Sequence, residues 1–325
     1  MIRLIRAATM AGLGSGVLTG IGDDTAVLEP SRGAKILATT DLLIEDVHFH
    51  RAWATPFDIG WKAMAVNLSD IAAKGGRPRW ALVGLALPAP ADPADIEALY
   101  DGMRQAAEPH GVVVVGGDTS ASPRGWFINV TLLGEHEGTP HLRSAAKAGH
   151  AIAVTGTLGR AAAGLAALES GRQRHGAGAE TVIAAHLRPV ARVAEGRWLG
   201  AAAGVHAMMD VSDGLSTDLG HICRESGVGA RVALDRVPVD PAARQVARDL
   251  GADPLAWAVA GGEDYELLLT CDPASVPALV EGLRRVTGTA LTVVGEIDGL
   301  TPGASFVDSS GKSVAMRAGY EHFSG

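Results

Sequence analysis

Residues 35–73 read KILATTDLLIEDVHFHRAWATPFDIGWKAMAVNLSDIAA, and they contain the two kinds of local order that the rest of the chain repeats. The run 35–40 (KILATT) is short, apolar and β-branched, as a strand requires. Residues 57–73 then place Trp61, Met64, Leu68 and Ile71 at helical spacing. Thr55 stands where an N-cap belongs, with Pro56 at N1 and Asp58 at N3, and Gly75 and Gly76 end the helix. Lys62, Asn67 and Asp70 are expected off its apolar stripe.

Working outward, 80–87 (WALVGLAL), 112–115 (VVVV) and 126–133 (WFINVTLL) read as further strands. A second helix from Pro93 to about residue 108 buries Ile96, Leu99, Met103 and Ala107. At 134–149 (GEHEGTPHLRSAAKAG) periodicity gives way to glycine, proline and charge, which puts the domain boundary there: 1–137 and 148–325. Strands are expected again at 151–155, 205–209, 230–234, 265–270 and 291–295, with helices notably at 159–170, 189–203 and 213–226. Each half is thus an α/β or α+β unit, and no short repeat suggests a solenoid.

With 325 residues, 47% of them hydrophobic, the chain is long enough for two cores. Its formal net charge of −8 argues against a protein that tracks nucleic-acid phosphates. Two cysteines, Cys223 and Cys271, without C-x-x-C spacing, imply free thiols in a reducing compartment and no structural zinc. Residues 1–18 carry Arg3 and Arg6, but Gly12, Gly14 and Gly16 interrupt the apolar stretch, so a signal peptide is not expected. No apolar run reaches 18 residues, no basic amphipathic helix stands out, and the cytoplasm is the expected location without a membrane partner.

The chemistry concentrates in six segments that set aspartate or glutamate beside glycine, serine or threonine: Gly22-Asp23-Asp24, Thr39-Thr40-Asp41, Asn67-Leu68-Ser69-Asp70, Gly116-Gly117-Asp118-Thr119, Asp210-Val211-Ser212-Asp213-Gly214 and Gly261-Gly262-Glu263-Asp264. Their oxygens are the hard ligands that magnesium prefers. Taken singly, each aspartate reads as a helix cap or turn residue. Collected in one cleft, each carboxylate pair about 4 Å apart repels by roughly 4 kcal/mol at an effective dielectric near 20, against about 1 kcal/mol from a cap, so such a cleft calls for cations. Other motifs are incomplete. Ser310-Gly311-Lys312-Ser313 lacks the earlier P-loop glycine because Phe306 stands there, Gly12-Leu13-Gly14-Ser15-Gly16 lacks dinucleotide spacing, and His136-Glu137 with His141 lacks zinc-helix spacing. His48 and His50, taken alone, read as structural.

In order, IGDD (21–24), TTDLLIEDVHF (39–49), KAMAVNLSDIAA (62–73), GGDT (116–119), DVSDGL (210–215), GGEDYELL (261–268) and the aromatic ending GYEHF (319–323) resemble the thiamine-monophosphate kinase family over nearly the whole chain. That resemblance implies a two-domain α/β fold of the aminoimidazole-ribotide synthetase type, whose N-terminal sheet pairs into a homodimer beside a C-terminal α/β domain. It implies ATP and thiamine monophosphate as substrates, thiamine diphosphate as product, and several Mg2+ ions. Carried over by motif, Asp24, Thr39, Thr40, Asp41, Asp70, Asp118, Asp210 and Asp213 hold metal; Tyr100, Gly117, Asp118, Arg143 and Ser212 contact ATP; His48, Glu263 and Tyr320 contact the thiamine substrate. Asp46 departs from the glycine usual in E-G-V-H, and Ala145 and His150 depart from R-S-G-A-K-P-G-D. Relatives in the same superfamily share such aspartates, but no N-terminal cysteine suggests selenophosphate synthetase, and GGEDYE with the aromatic ending fits the kinase better than aminoimidazole-ribotide synthetase. A non-catalytic nucleotide sensor is the alternative from a different class.

Overall fold

A computed structural model describes residues 16–171, 178–299, 303–316 and 319. They form two compact units. The first takes the described residues up to Thr139 except Ala73–Gly75, and the second takes Ala73–Gly75 with those from Pro140 onward.

The first unit runs β1 (Val17–Thr19), β2 (Val27–Leu28), β3 (Lys35–Ile44), α1 (Pro56–Ala72), β4 (Arg77–Pro88), α2 (Pro93–Ala107), β5 (Val113–Ser122) and β6 (Phe127–His136). Strands β1 and β2 make a small ribbon, and the other four make a sheet in the order β3-β6-β4-β5. The crossover through α2 makes β4 and β5 parallel, while the remaining pairs are antiparallel. Helix α1 starts as its sequence requires: the Asp58 N–H donates to Thr55 Oγ1 at 3.2 Å, and the Thr55 N–H donates back to Asp58 Oδ2 at 3.0 Å. The two helices cross on a reciprocal pair of glycines. A Cβ at Gly60 would lie 1.9 Å from the Leu99 carbonyl oxygen, and one at Gly102 would lie 2.0 Å from that of Phe57.

Because α2 covers one side of α1 and the sheet another, α1 is buried almost all round. Lys62 and Asn67 lie inside rather than on a polar face, and Asn67 Nδ2 donates to the Ala63 carbonyl at 3.0 Å. Strand β5 outruns its four-valine core to reach Ser122, since pairing with β4 carries the glycine-rich and polar residues into the ladder. Likewise β6 continues through His136, into the stretch where the sequence loses its periodicity.

The second unit contains β7 (Ala151–Thr155), α3 (Arg160–Glu169), α4 (Ala179–Leu187), α5 (Val193–Ala201), β8 (Val205–Asp210), α6 (Leu215–Ser226), β9 (Gly229–Ala233), α7 (Pro241–Leu250), α8 (Pro254–Ala260), β10 (Leu267–Cys271), α9 (Val276–Thr287), β11 (Leu291–Ile297) and β12 (Gly303–Val307). Its sheet has the order β12-β9-β11-β7-β10-β8, antiparallel except for β12 beside β9. Ile152, Val154, Leu268 and Val294 pack with Leu215, Leu219 and Ile222 of α6 in one core. The helix expected from 189 starts at Val193, and α4 ends at Leu187, two residues before Pro189. Cys223 and Cys271 are buried free thiols, and burial pushes Cys271 up to about 11.

Helix α3 has no local side-chain cap, since Gly159 occupies the N-cap. Asp264 supplies one from far along the chain, accepting the Gly159 N–H at 2.6 Å and the Ala161 N–H at 3.1 Å. Burial pushes the Asp264 carboxyl up to about 7 against those hydrogen bonds. Asp264→Ala is expected to lower unfolding stability in urea by about 2 to 3 kcal/mol, since it orphans two buried donors. A raised acid pKa favours the folded state at low pH, and that contribution is lost as pH rises through about 7. The stability gap between wild type and Asp264→Asn therefore moves in favour of the variant across that window.

Candidate functional site

In the first unit, the candidate acids lie on β3, on α1, on β5 and between β1 and β2. The pleat of β3 turns Thr39, Asp41 and Leu43 inward and Thr40 and Leu42 outward. Thr39 Oγ1 hydrogen-bonds Asp70 Oδ2, which ties the strand to α1. Thr40 instead meets Thr131 Oγ1 at 3.0 Å, the Val130 carbonyl at 3.3 Å and Asn129 Nδ2 at 2.9 Å on the other face. Its hydroxyl is thereby on the opposite face from the Thr39 hydroxyl and the Asp41 carboxylate.

Asp23 and Asp24 are exposed, with the Asp24 N–H on Asp23 Oδ1 at 2.7 Å. Asp118 is exposed on β5, its Oδ1 accepting the Thr119 N–H at 2.8 Å. Gly117 beside it has φ +145°, and a Cβ there would lie 1.9 Å from the Val83 carbonyl oxygen, so no other residue fits. The row Asp41, Val130, Val83, Gly117 spans the whole sheet. Asp41 and Asp118 therefore sit on opposite edge strands, three interstrand spacings or about 14 Å apart.

Tyr100 lies on the buried face of α2, where desolvation raises its hydroxyl to about 12 and leaves little of it open to a ligand. In the turn after β3, His48 Nδ1 accepts the Ile44 N–H at 3.0 Å, so its ring proton is on Nε2. Asp46 in that turn has φ +66°, the left-handed conformation that glycine adopts freely and aspartate tolerates. The departure from glycine thus preserves the turn.

In the second unit, β8 ends on Asp210, the loop from it to α6 carries Ser212 and Asp213, and the segment before β10 carries Glu263. The two are laced together by backbone bonds: Val211 N–H to the Glu266 carbonyl at 2.8 Å, Tyr265 N–H to Val211 at 2.9 Å and Glu263 N–H to Ser212 at 2.7 Å. Glu263 and Tyr265 hold φ values of +66° and +51° there. Arg143 is exposed in the turn Arg143–Ala145, whose carbonyl at Arg143 accepts Ser226 Oγ at 2.8 Å. His150 stacks on His206 at a centroid distance of 4.1 Å. Tyr320 lies outside the described residues.

The sequence reading assigned no role to Asp218 or Glu266, whereas Asp264 fits the cap reading given to any single aspartate. Asp218, in the first turn of α6, accepts the backbone N–H groups of Ser212 at 3.0 Å and Asp213 at 3.1 Å and so shapes the loop. It is 1% exposed and its Oδ1 has no hydrogen-bond partner. Burial first, then the charges of Asp210 and Asp213, push it up to about 8. The signal was its place in the first helical turn after D-x-S-D-G, where an acid can fold back on the preceding loop. Asp264 is the remote cap described above. Glu266 is held by Arg192 through two bonds of 2.7 and 2.6 Å and by Thr155 Oγ1 at 2.7 Å. A cation fits the surroundings of Asp218: its Oδ1 lacks a hydrogen-bond partner, the charges of Asp210 and Asp213 crowd it, and ligand atoms of Asp213, Asp218 and His221 lie within 4.8 Å of one another.

Residues 22–136 match the family described as AIR synthase related protein, N-terminal domain, and residues 147–306 match its C-terminal domain. The chain is 42% identical over 276 residues to the thiamine-monophosphate kinase of Mycobacterium tuberculosis, covering 83% of this chain and 79% of that protein. It superposes on the crystal structure of thiamine-monophosphate kinase from Stenotrophomonas maltophilia K279a with a TM-score of 0.84 and 38% identity, over 95% of each chain. It also superposes on AaThiL, complexed with AMPPCP and TMP, with a TM-score of 0.79 and 35% identity, over 93% of this chain and 92% of that one. The fold is therefore the two-domain α/β arrangement of the AIR synthase type.

The split between neighbouring threonines is testable. Thr39→Val, which releases Asp70, is expected to weaken calorimetric Mg2+ binding about tenfold, whereas Thr40→Val, which keeps its backbone carbonyl, stays within about twofold of wild type.

Proposed function

We propose that this chain, which belongs to the thiamine-monophosphate kinase family, transfers the γ-phosphoryl group of ATP to thiamine monophosphate by direct in-line displacement. The observation that carries the reading is the stretch 210–213, whose Asp210 and Asp213 carboxylates crowd the buried Asp218 with His221 close by, a cluster suited to cations. The acceptor is itself a phosphate monoester, already largely dianionic at neutral pH because its second ionisation lies near pH 6. One of its oxygens forms the new P–O bond as the bond from γ-phosphorus to ADP breaks. No side chain has to remove a proton. What the reaction demands is neutralisation of two anions brought together, which magnesium supplies when bound.

Asp24, Thr39, Asp41, Asp70, Asp118, Asp210 and Asp213 would hold the ions, with Thr40 contributing its carbonyl. Gly117, Asp118, Arg143 and Ser212 would contact ATP, with Tyr100 restricted by its burial. His48, Glu263 and Tyr320 would contact the thiamine moiety, where the aromatic face of Tyr320 suits a cationic thiazolium. The buried free thiols favour a cytoplasmic location.

A homodimer belongs to the same reading. Ile36 and Leu42 of β3 are each 47% exposed and Leu82 of β4 is 37% exposed, an apolar surface suited to a second copy. The edge-to-edge separation of Asp41 and Asp118 supports it further, since a second chain's edge strand would bring the two residue types together.

Incubation with ATP, Mg2+ and thiamine monophosphate is expected to yield thiamine diphosphate, and binding of ATP without product would instead indicate a sensor. Asp41→Asn and Asp210→Asn are each expected to lower kcat by more than about 100-fold with an unchanged melting temperature, because an amide is a poor magnesium ligand. Full turnover in both contradicts the metal assignment. Co-expressing Asp41→Asn with Asp118→Asn is expected to restore about a quarter of wild-type activity, since half the dimers would then hold one intact site of two. No recovery would place both residues in a single-chain site.

A further inference from the structure

We propose that His186 is a positioning residue that fixes the Glu263 carboxylate for the substrate, an inference that rests on the reading of Glu263 as a contact to thiamine monophosphate. His186 Nδ1 lies 3.0 Å from Glu263 Oε2, in direct contact but without hydrogen-bond alignment. The imidazole is 8% exposed and the carboxylate 29%, so the histidine backs the glutamate from the protein interior. Glu263 also lines a cavity of about 220 Å³, whose wall includes Ala184 and Ala185 of α4, Arg188 and Arg192. One carboxylate thus has a buried imidazole on one side and open space on another.

The neighbouring acids have other duties. Asp264 is committed to the N-terminus of α3, and Glu266 is gripped by Arg192. Glu263 has its backbone pinned by the N–H bond to Ser212, at φ +66°, but its side chain still has three rotatable bonds. A glutamate loses substantial rotamer freedom when a ligand orders it. Contact with a buried imidazole removes much of that freedom before the ligand arrives, which is preorganisation. His186 is a firm support because its helix is anchored: Val182, one turn earlier, packs with Ala163 and Ala167 of α3 and Val246 of α7.

The experiment compares wild type, His186→Leu, His186→Asn, Glu263→Gln and the double variant His186→Leu/Glu263→Gln, each titrated separately with ATP and with thiamine monophosphate. His186→Leu is expected to raise KM for thiamine monophosphate about tenfold while kcat and KM for ATP stay within about twofold. His186→Asn, whose amide nitrogen takes the place of Nδ1, is expected to recover most of that loss. In the Glu263→Gln background, His186→Leu is expected to add less than about twofold, because the two residues act through one contact. Equal losses for both substrates, no recovery with Asn, or multiplying effects of the two substitutions would each overturn the assignment. Should the leucine variant fail to fold, His186→Gln, which displaces the polar group, takes its place in the same cycle with the same expected and overturning results. A wild-type chain that forms no thiamine diphosphate overturns the kinase reading and this one together, whereas an active wild type with an unmoved KM overturns only this one.

Discussion

Like charges held close together are the constraint around which the second unit's loop is built. Asp210 is 3% exposed, Asp213 follows it by three residues, and Asp218 lies buried beneath, near enough that the first two help drive its pKa to about 8. Two backbone N–H groups favour the charged form of Asp218, but burial and the two neighbouring charges outweigh them. Asp218 nonetheless orients the Ser212 and Asp213 amides. Hydrogen bonds from the backbone fix the loop, and bonds from Glu263 and Tyr265 back to Ser212 and Val211 lock it against the strand that follows. The loop's shape is thus set by the protein's own hydrogen bonds.

The GGEDYE segment is acidic for a different reason, since each of its acids has a partner of its own. Its three acids have three partners of different kinds: a helix N-terminus for Asp264, a guanidinium for Glu266 and an imidazole for Glu263. Only a structure distinguishes these duties, because each partner comes from a distant part of the chain. Arg192 is 74 residues from Glu266, and Gly159 is 105 from Asp264. A motif read along the sequence records that acids occur together; the partners decide which acid is a support and which faces a ligand.

Much of the fold was nevertheless legible. Helix α1, its capping box and the strands β3, β4, β6, β7 and β8 follow from local pattern, because each packs its own periodic side chains against one core. Misreadings arose where tertiary contacts override pattern. The polar residues of α1 are buried because a second helix covers them, and β5 extends through glycine and serine because β4 supplies a ladder. The TTD and DVSDGL motifs located residues that the structure does gather, Thr39 with Asp70 and Ser212 with Asp213 around Asp218. Asp218 itself was hidden because an acid in the first turn of a helix is common, and only its burial and its like-charged neighbours make it unusual.

Strand pairing imposes a discipline on the first unit that no list of motifs contains. Adjacent residues on a strand face opposite ways, so Thr39 and Thr40 cannot both present hydroxyls to one ion, whatever their proximity in sequence. Residues on the two edge strands stay apart by the width of the sheet, however similar their chemistry. Asp41 and Asp118 satisfy the same ligand preference, yet β6 and β4 run between them. An edge strand also offers unpaired backbone groups, and on β3 those accompany Ile36 and Leu42 exposed on the outer face. Sheet order thus keeps Asp41 and Asp118 apart within one chain and sets Ile36 and Leu42 on an edge strand.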